Sequence, residues 1–126
     1  MLINLLAAGL GGAIGSMLRL SFGLAASALL GTRFPWATLG VNIIGSFLIG
    51  VAVILIGDKI LAHDLWRPFF VVGLLGAFTT FSSFSLDTLL LLQQGNYNSA
   101  IAYVATSFLV CLAATLGGMQ LSRLFV

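Results

Sequence analysis

Residues 69–92 read FFVVGLLGAFTTFSSFSLDTLLLL. The flanks, FFVVGLL and LLLL, are almost purely apolar. The centre, GAFTTFSSFSLDT at 76–88, holds two adjacent threonines, two adjacent serines, three phenylalanines within seven residues, and an aspartate. A helix of about 20 mostly apolar residues crosses the hydrocarbon core of a bilayer, and the run is long enough to do so. Its polar centre predicts a break. Gly73, Gly76 and the hydroxyl residues weaken a helix, and a broken helix is tolerated at membrane depth only where protein or a cavity satisfies the freed backbone groups. Freed carbonyls can coordinate a cation and freed amides can meet an anion. Phe81 and Phe84 are three apart and share a face. The positive edge of a phenyl ring can line an anion path without a full charge, whereas the plainer reading has both rings filling the bundle core.

The rest of the 126-residue chain has the same character. It is 60% hydrophobic and 6% charged, where a soluble domain carries about 25% charged residues. These values predict an all-α integral membrane protein. Three polar breaks divide it: GTRFP (31–35), GDKILAHDLWRP (57–68) and QQGNYN (93–98). The expected spans are therefore about 2–30, 35–56, 67–92 and 98–123, forming a single four-span membrane domain (1–126) whose successive helices run antiparallel. Trp36, Trp66, Tyr97 and Tyr103 fall near span ends, as an aromatic belt would. The apolar N-terminus lacks a basic leader and is expected to double as the insertion signal. Four spans put both termini and the 57–68 loop on one side, with Lys59, Arg67 and Arg123. Arg33, and Arg19 within the first span, belong nearer the other side. So small a bias allows insertion in either direction, and with it an antiparallel homodimer.

Small residues and polar stripes mark the helix faces. Gly11–Gly15 and Ser46–Gly50 have the small-xxx-small spacing that lets membrane helices approach closely. Thr38, Asn42 and Ser46 recur every fourth residue on the second span, and Tyr103, Ser107, Cys111 and Thr115 do so on the fourth, so each set shares a face. Serine and threonine hydroxyls can simply back-bond to their own helix. Asn42 is costlier in hydrocarbon and is either interhelical glue or a ligand for something crossing the membrane. Arg19 and Asp87 are the ionisable residues inside the spans, each costing at least about 2.5 kcal/mol near the bilayer centre. Arg19 either snorkels to the interface or draws anions into a vestibule. Asp87 either pairs with a base, caps freed amides, or organises the broken span.

Three stretches, GGAIGSMLR (11–19), TLGVNIIGSFLIG (38–50) and GAFTTFSSFSLD (76–87), in this order and at this length, resemble the Fluc (CrcB) family of small fluoride channels. The resemblance covers essentially the whole chain. It implies a multi-pass protein of the cell inner membrane, assembled as an antiparallel dual-topology homodimer with two pores. It further implies that Asn42, Phe81 and Phe84 line the fluoride path, that Tyr103, Ser107, Cys111 and Thr115 form a polar track, with Thr38 and Arg19 also on the path, and that a structural Na+ lies at the dimer centre on the carbonyls of Gly76 and Thr79. The chain departs from the family pattern at Cys111, where a hydroxyl is usual, at Ser83 for threonine, at Asp87 for glutamate, and at Ser16 and Leu20 beside Arg19.

Other functions are disfavoured. Five basic and three acidic side chains are too few for a nucleic-acid surface. The single cysteine, Cys111, excludes an internal disulfide and a cysteine zinc site. His63, alone in a loop beside Asp64, has no nucleophile partner, so no enzyme is expected. A proton-coupled exporter of cationic drugs remains as the alternative, with Asp87 as its only candidate carboxylate. A non-transporting assembly subunit explains the packing glycines but not the polar stripes.

Overall fold

The computed structural model describes residues 1–57 and 63–126. Asp58 and Lys59 lie outside the described residues, as does the side chain of His63. Helix α1 spans Leu2–Leu30. It stops at Gly31, whose φ of 79° suits glycine and whose N–H donates to Ser27 O at 3.0 Å. Pro35 precedes α2, Trp36–Gly57. The third span, Asp64–Gln93, is assembled from pieces. A short α3, His63–Trp66, leads into a π-helical stretch, Arg67–Leu75, with Pro68 near its start, and then into α4, Gly76–Phe78. Thr79 and Thr80 are extended, and α5 resumes over Phe81–Gln93. Gly95, with φ 77°, turns the chain into α6, Tyr97–Arg123.

Four helices are thus long and apolar enough to cross a membrane, and no strand occurs among the described residues. The break falls at Thr79–Thr80, near the middle of the third span. The π-helical stretch is new relative to the sequence reading. Its wider turns lie where a proline without an N–H opens the segment and where α1 presses closest.

Small residues set that approach. A β-carbon on Gly11 would collide with the carbonyl oxygen of Phe69 and lie 2.9 Å from Leu74 N, and one on Gly15 would strike Leu74 O. Gly73 faces the Ala8 carbonyl and Gly12 N from the other side. The same device joins α2 to α6, where Gly50 meets the Thr115 carbonyl and Gly118 meets that of Phe47. Between α1 and the third span these contacts advance together, from Ala8–Gly73 to Gly15–Ala77, so the two run parallel. The second and fourth spans also run parallel, because Phe34 just before α2 meets Tyr103 near the start of α6, while Gly50 meets Thr115 further along both. Gly40 receives the Phe22 ring and Gly23 lies beside Ala37, so α1 and α2 run antiparallel. Successive spans therefore alternate in direction.

Leu39, Phe84, Leu91, Ala100 and Tyr103 form the buried core, with Phe34, Ile43 and Val104 packed on it. Tyr103 is 0% exposed, which removes it from the aromatic belt. The rings of Phe34 and Phe84 enclose it, with centroids at 5.6 and 5.3 Å. Trp36, Trp66 and Tyr97 remain exposed, as do many leucines of α1 and α6. A protein dissolved in water rarely shows so large an apolar surface, whereas a bilayer supplies its solvent.

Gly11→Val places side-chain atoms against backbone that cannot swing away. We expect it to destabilise the fold by about 1–3 kcal/mol, the usual cost of overpacking, seen as a lower thermal unfolding midpoint in detergent. Gly9→Ala, where a β-carbon meets nothing within 4 Å, should leave the midpoint unchanged or raise it.

Candidate ion path

The break is held by a side chain from another span. The Thr80 N–H donates to Asn42 Oδ1 at 2.8 Å, and Asn42 Nδ2 donates to the Thr80 carbonyl at 3.0 Å. One carboxamide thereby satisfies both backbone groups of one residue. Thr80 also caps α5, because its Oγ1 accepts from Ser83 N–H at 3.1 Å and donates to Ser83 Oγ at 3.1 Å, with Ser82 Oγ 3.2 Å away. On the α4 side, Leu75 O accepts both the N–H and the Oγ1 of Thr79, at 3.0 and 2.9 Å.

These bonds leave two carbonyls without their helical partners. In an unbroken α-helix, Gly76 O would accept from Thr80 N–H and Thr79 O from Ser83 N–H. Here Thr80 N–H goes to Asn42 and Ser83 N–H to Thr80 Oγ1. Both carbonyl oxygens are hard donors of the kind that bind hard cations.

A cavity of about 360 Å³ opens beside the break. Asn42, Phe81, Phe84, Ser107 and Cys111, drawn from three spans, all line it, together with Gly76 and Thr79. Gly45 makes room at its wall, where a β-carbon would strike the Thr79 methyl. Phe81 and Phe84 lie with centroids 5.4 Å apart, and Phe108 meets Phe84 edge-on at 6.3 Å. Phe84 is buried, whereas Phe81 is 74% exposed on the single chain. Ser107 Oγ is buried and has no hydrogen-bond partner among the described residues. A second cavity, of about 390 Å³, lies across the clamp, with Arg19, Thr38 and Ser83 on its wall. Thr80 borders both cavities.

The family model described as CrcB-like protein, Camphor Resistance (CrcB), matches residues 6–119. The chain belongs to the CrcB-like family. A relative from Agrobacterium fabrum is 45% identical over 97% of this chain and 98% of its own length. One from Aeromonas salmonicida is 47% identical over 88% of this chain and 89% of its own, and one from Rhizobium etli 42% over 99% and 100%. Each of the three is named fluoride-specific ion channel FluC. Together with the four long apolar helices, this makes the chain a multi-pass membrane protein.

In this CrcB-like chain the expected site residues divide into groups. Asn42, Phe81, Phe84, Ser107 and Cys111 share the first cavity, and Thr38 and Arg19 the second. Tyr103 and Thr115 line neither. The Tyr103 phenol donates to Asp87 Oδ2 at 3.2 Å, with the Thr38 hydroxyl also close to the phenol oxygen. Thr115 Oγ1 back-bonds to Cys111 O at 3.1 Å. Among the described residues Asp87 pairs with no base, and it does not cap α5. It accepts from Tyr103, and Thr80 does the capping. Of the two readings of Asn42, interhelical glue is the one seen in the hydrogen bonds. The role of Thr80 and the place of Phe108 were missed. A threonine three residues before Ser83, at the point where apolar periodicity resumes, was the available signal for the cap.

Asn42→Leu removes both clamp bonds and strands two backbone groups. A cost of about 1–3 kcal/mol for each buried group left unpaired should lower the unfolding midpoint in detergent. Thr80→Ala keeps the backbone clamp and loses only the cap, so its cost should be smaller, about 0.5–2 kcal/mol.

Proposed function

We propose that this chain is a passive fluoride channel of the cell inner membrane, working as an antiparallel dual-topology homodimer with two pores. The observation that carries the reading is the meeting of Asn42, Phe81, Phe84, Ser107 and Cys111 in one cavity beside the break. The name borne by the relatives supports the ion, and it is the name of a channel, not of an enzyme or of the exporter held as the alternative.

The mechanism follows from what fluoride needs. It is small and strongly hydrated, so a path must replace its water with donors, yet bind weakly enough to release it. Asn42 has two amide hydrogens. One is used on Thr80 O, and the other is left for a passing anion. Ser107 and Cys111 offer further donors, and the positive edges of Phe81 and Phe84 attract the ion without a charge that would trap it. Arg19, on the second cavity with Thr38, raises the anion concentration before the clamp. Tyr103, tied to Asp87, and Thr115, tied to its own helix, support the track from behind. A second copy would cover the exposed Phe81 ring and narrow the path enough to exclude chloride by size.

The carbonyls of Gly76, freed by the clamp, and of Thr79, freed by the Thr80 cap, fit a structural Na+. Two antiparallel copies would supply four such oxygens around one ion. When bound, the ion neutralises carbonyl repulsion at the dimer centre and adds a fixed positive charge near the path.

The test is anion efflux from liposomes holding the purified protein, with valinomycin carrying potassium. Fluoride should leave quickly and chloride hardly at all. Asn42→Ala removes a donor to an anion, and a loss of about 1.5–3 kcal/mol lowers fluoride efflux by about tenfold or more. Phe81→Ile should lower it as well. Absence of fluoride efflux from folded dimer overturns the reading, and proton-linked cation transport abolished by Asp87→Asn would establish the exporter in its place. Replacing sodium by N-methylglucamine should lower the thermal midpoint of the dimer, while an unchanged midpoint removes Na+ from the assembly.

A further inference from the structure

Cys111 is the only cysteine in the chain. It is half-buried and free, and it lies on the wall of the cavity that holds Asn42 and Phe84. Ser107, one turn earlier on the same face of α6, lines the same cavity, is 8% exposed, and has a hydroxyl with no partner. Residues four apart on a helix stand about 5–6 Å apart at their β-carbons, so a group bonded to Cys111 Sγ can reach the Ser107 side chain. Phe81, Phe84 and Phe108 make the remaining lining largely apolar.

We propose that Cys111 is a binding site for a soft, thiophilic metal, taken as a monofunctional mercury(II) species, and that metal bound there stops ion passage. Sulfur is the soft donor that such a metal selects over the amide, hydroxyl and carbonyl groups nearby. With methylmercury hydroxide the chemistry balances without an oxidant. The S–Hg bond forms, the Hg–O bond breaks, and the thiol proton leaves with hydroxide as water. The product is neutral, so no net charge is placed in the hydrocarbon zone, where a charge is costly. Its methyl group faces the phenyl rings, and the unpartnered Ser107 oxygen gives mercury a weak second contact. The bound group also replaces a small hydrogen-bond donor on the path with a bulky non-donor. A channel with a hydroxyl at this position lacks the soft ligand.

The site follows from the cavity alone, whereas the block rests on the channel reading, so two readouts are needed. The full-length protein in liposomes is treated with methylmercury hydroxide, its intact mass is measured, and fluoride efflux is followed. One adduct per chain, removed by excess dithiol, together with an efflux that falls at least tenfold and returns with the dithiol, is the expected result. Cys111→Ser should take no adduct, and its own efflux, whatever its level, should be insensitive to the reagent. Ser107→Ala should release the adduct faster in the dithiol chase. No adduct on the folded protein overturns the site. An adduct with unchanged efflux, or a block that persists in Cys111→Ser, overturns the assignment of the block to Cys111. If the untreated protein passes no fluoride, the channel reading and the block fail together, and the adduct mass still decides the site.

Discussion

The Asn42 carboxamide occupies both backbone groups of Thr80, at 2.8 and 3.0 Å, and the form of the third span follows from that pair of bonds. In hydrocarbon an unpaired peptide group costs several kcal/mol, so an unassisted chain would close the gap and continue as helix. With the clamp in place, Thr79 and Thr80 stay extended, α5 starts afresh under its own threonine cap, and the carbonyls of Gly76 and Thr79 lose their usual donors. An asparagine suits this position because its side chain carries the same donor and acceptor as a peptide group. Serine or leucine there could not match both.

The clamp works only if α2 lies close to the broken span, and small residues arrange that. Gly45 admits the Thr79 side chain, while Gly11, Gly15 and Gly73 let α1 rest on the backbone of the π-helical stretch. In a bilayer, where lipid is as apolar as a leucine side chain, close backbone packing replaces the hydrophobic effect as the force between helices. Many of the large apolar residues are accordingly spread over the outside, and the interior combines a few aliphatic side chains such as Leu39 and Leu91 with polar residues and aromatic rings. Two cavities on either side of the clamp result, one with amide, thiol and phenyl groups and one with Arg19 and hydroxyls.

Phe84 and Phe81 illustrate how far a motif can be read. Their spacing put them on one face, and they do share a cavity. That one would be buried and the other 74% exposed depended on α6 covering only one side of α5. The four-residue repeat on α6 was equally plain, yet its members differ in use. Ser107 and Cys111 reach the cavity, Tyr103 is sealed in the core against Asp87, and Thr115 bonds to its own helix. Periodicity records direction around one helix axis. It does not record what the neighbouring helix places opposite each turn.

Hydropathy and the three polar breaks determined the four spans, because lipid admits backbone only when its hydrogen bonds are closed within the segment. The motif order determined the family, and the run of hydroxyls located the break. Tertiary structure decided what holds the break open, which hydroxyls face the cavity, and where the third span adopts π geometry. Each of these depends on groups far apart in the chain, such as residues 42 and 80, whose contact is fixed only when α2 and the third span pack together.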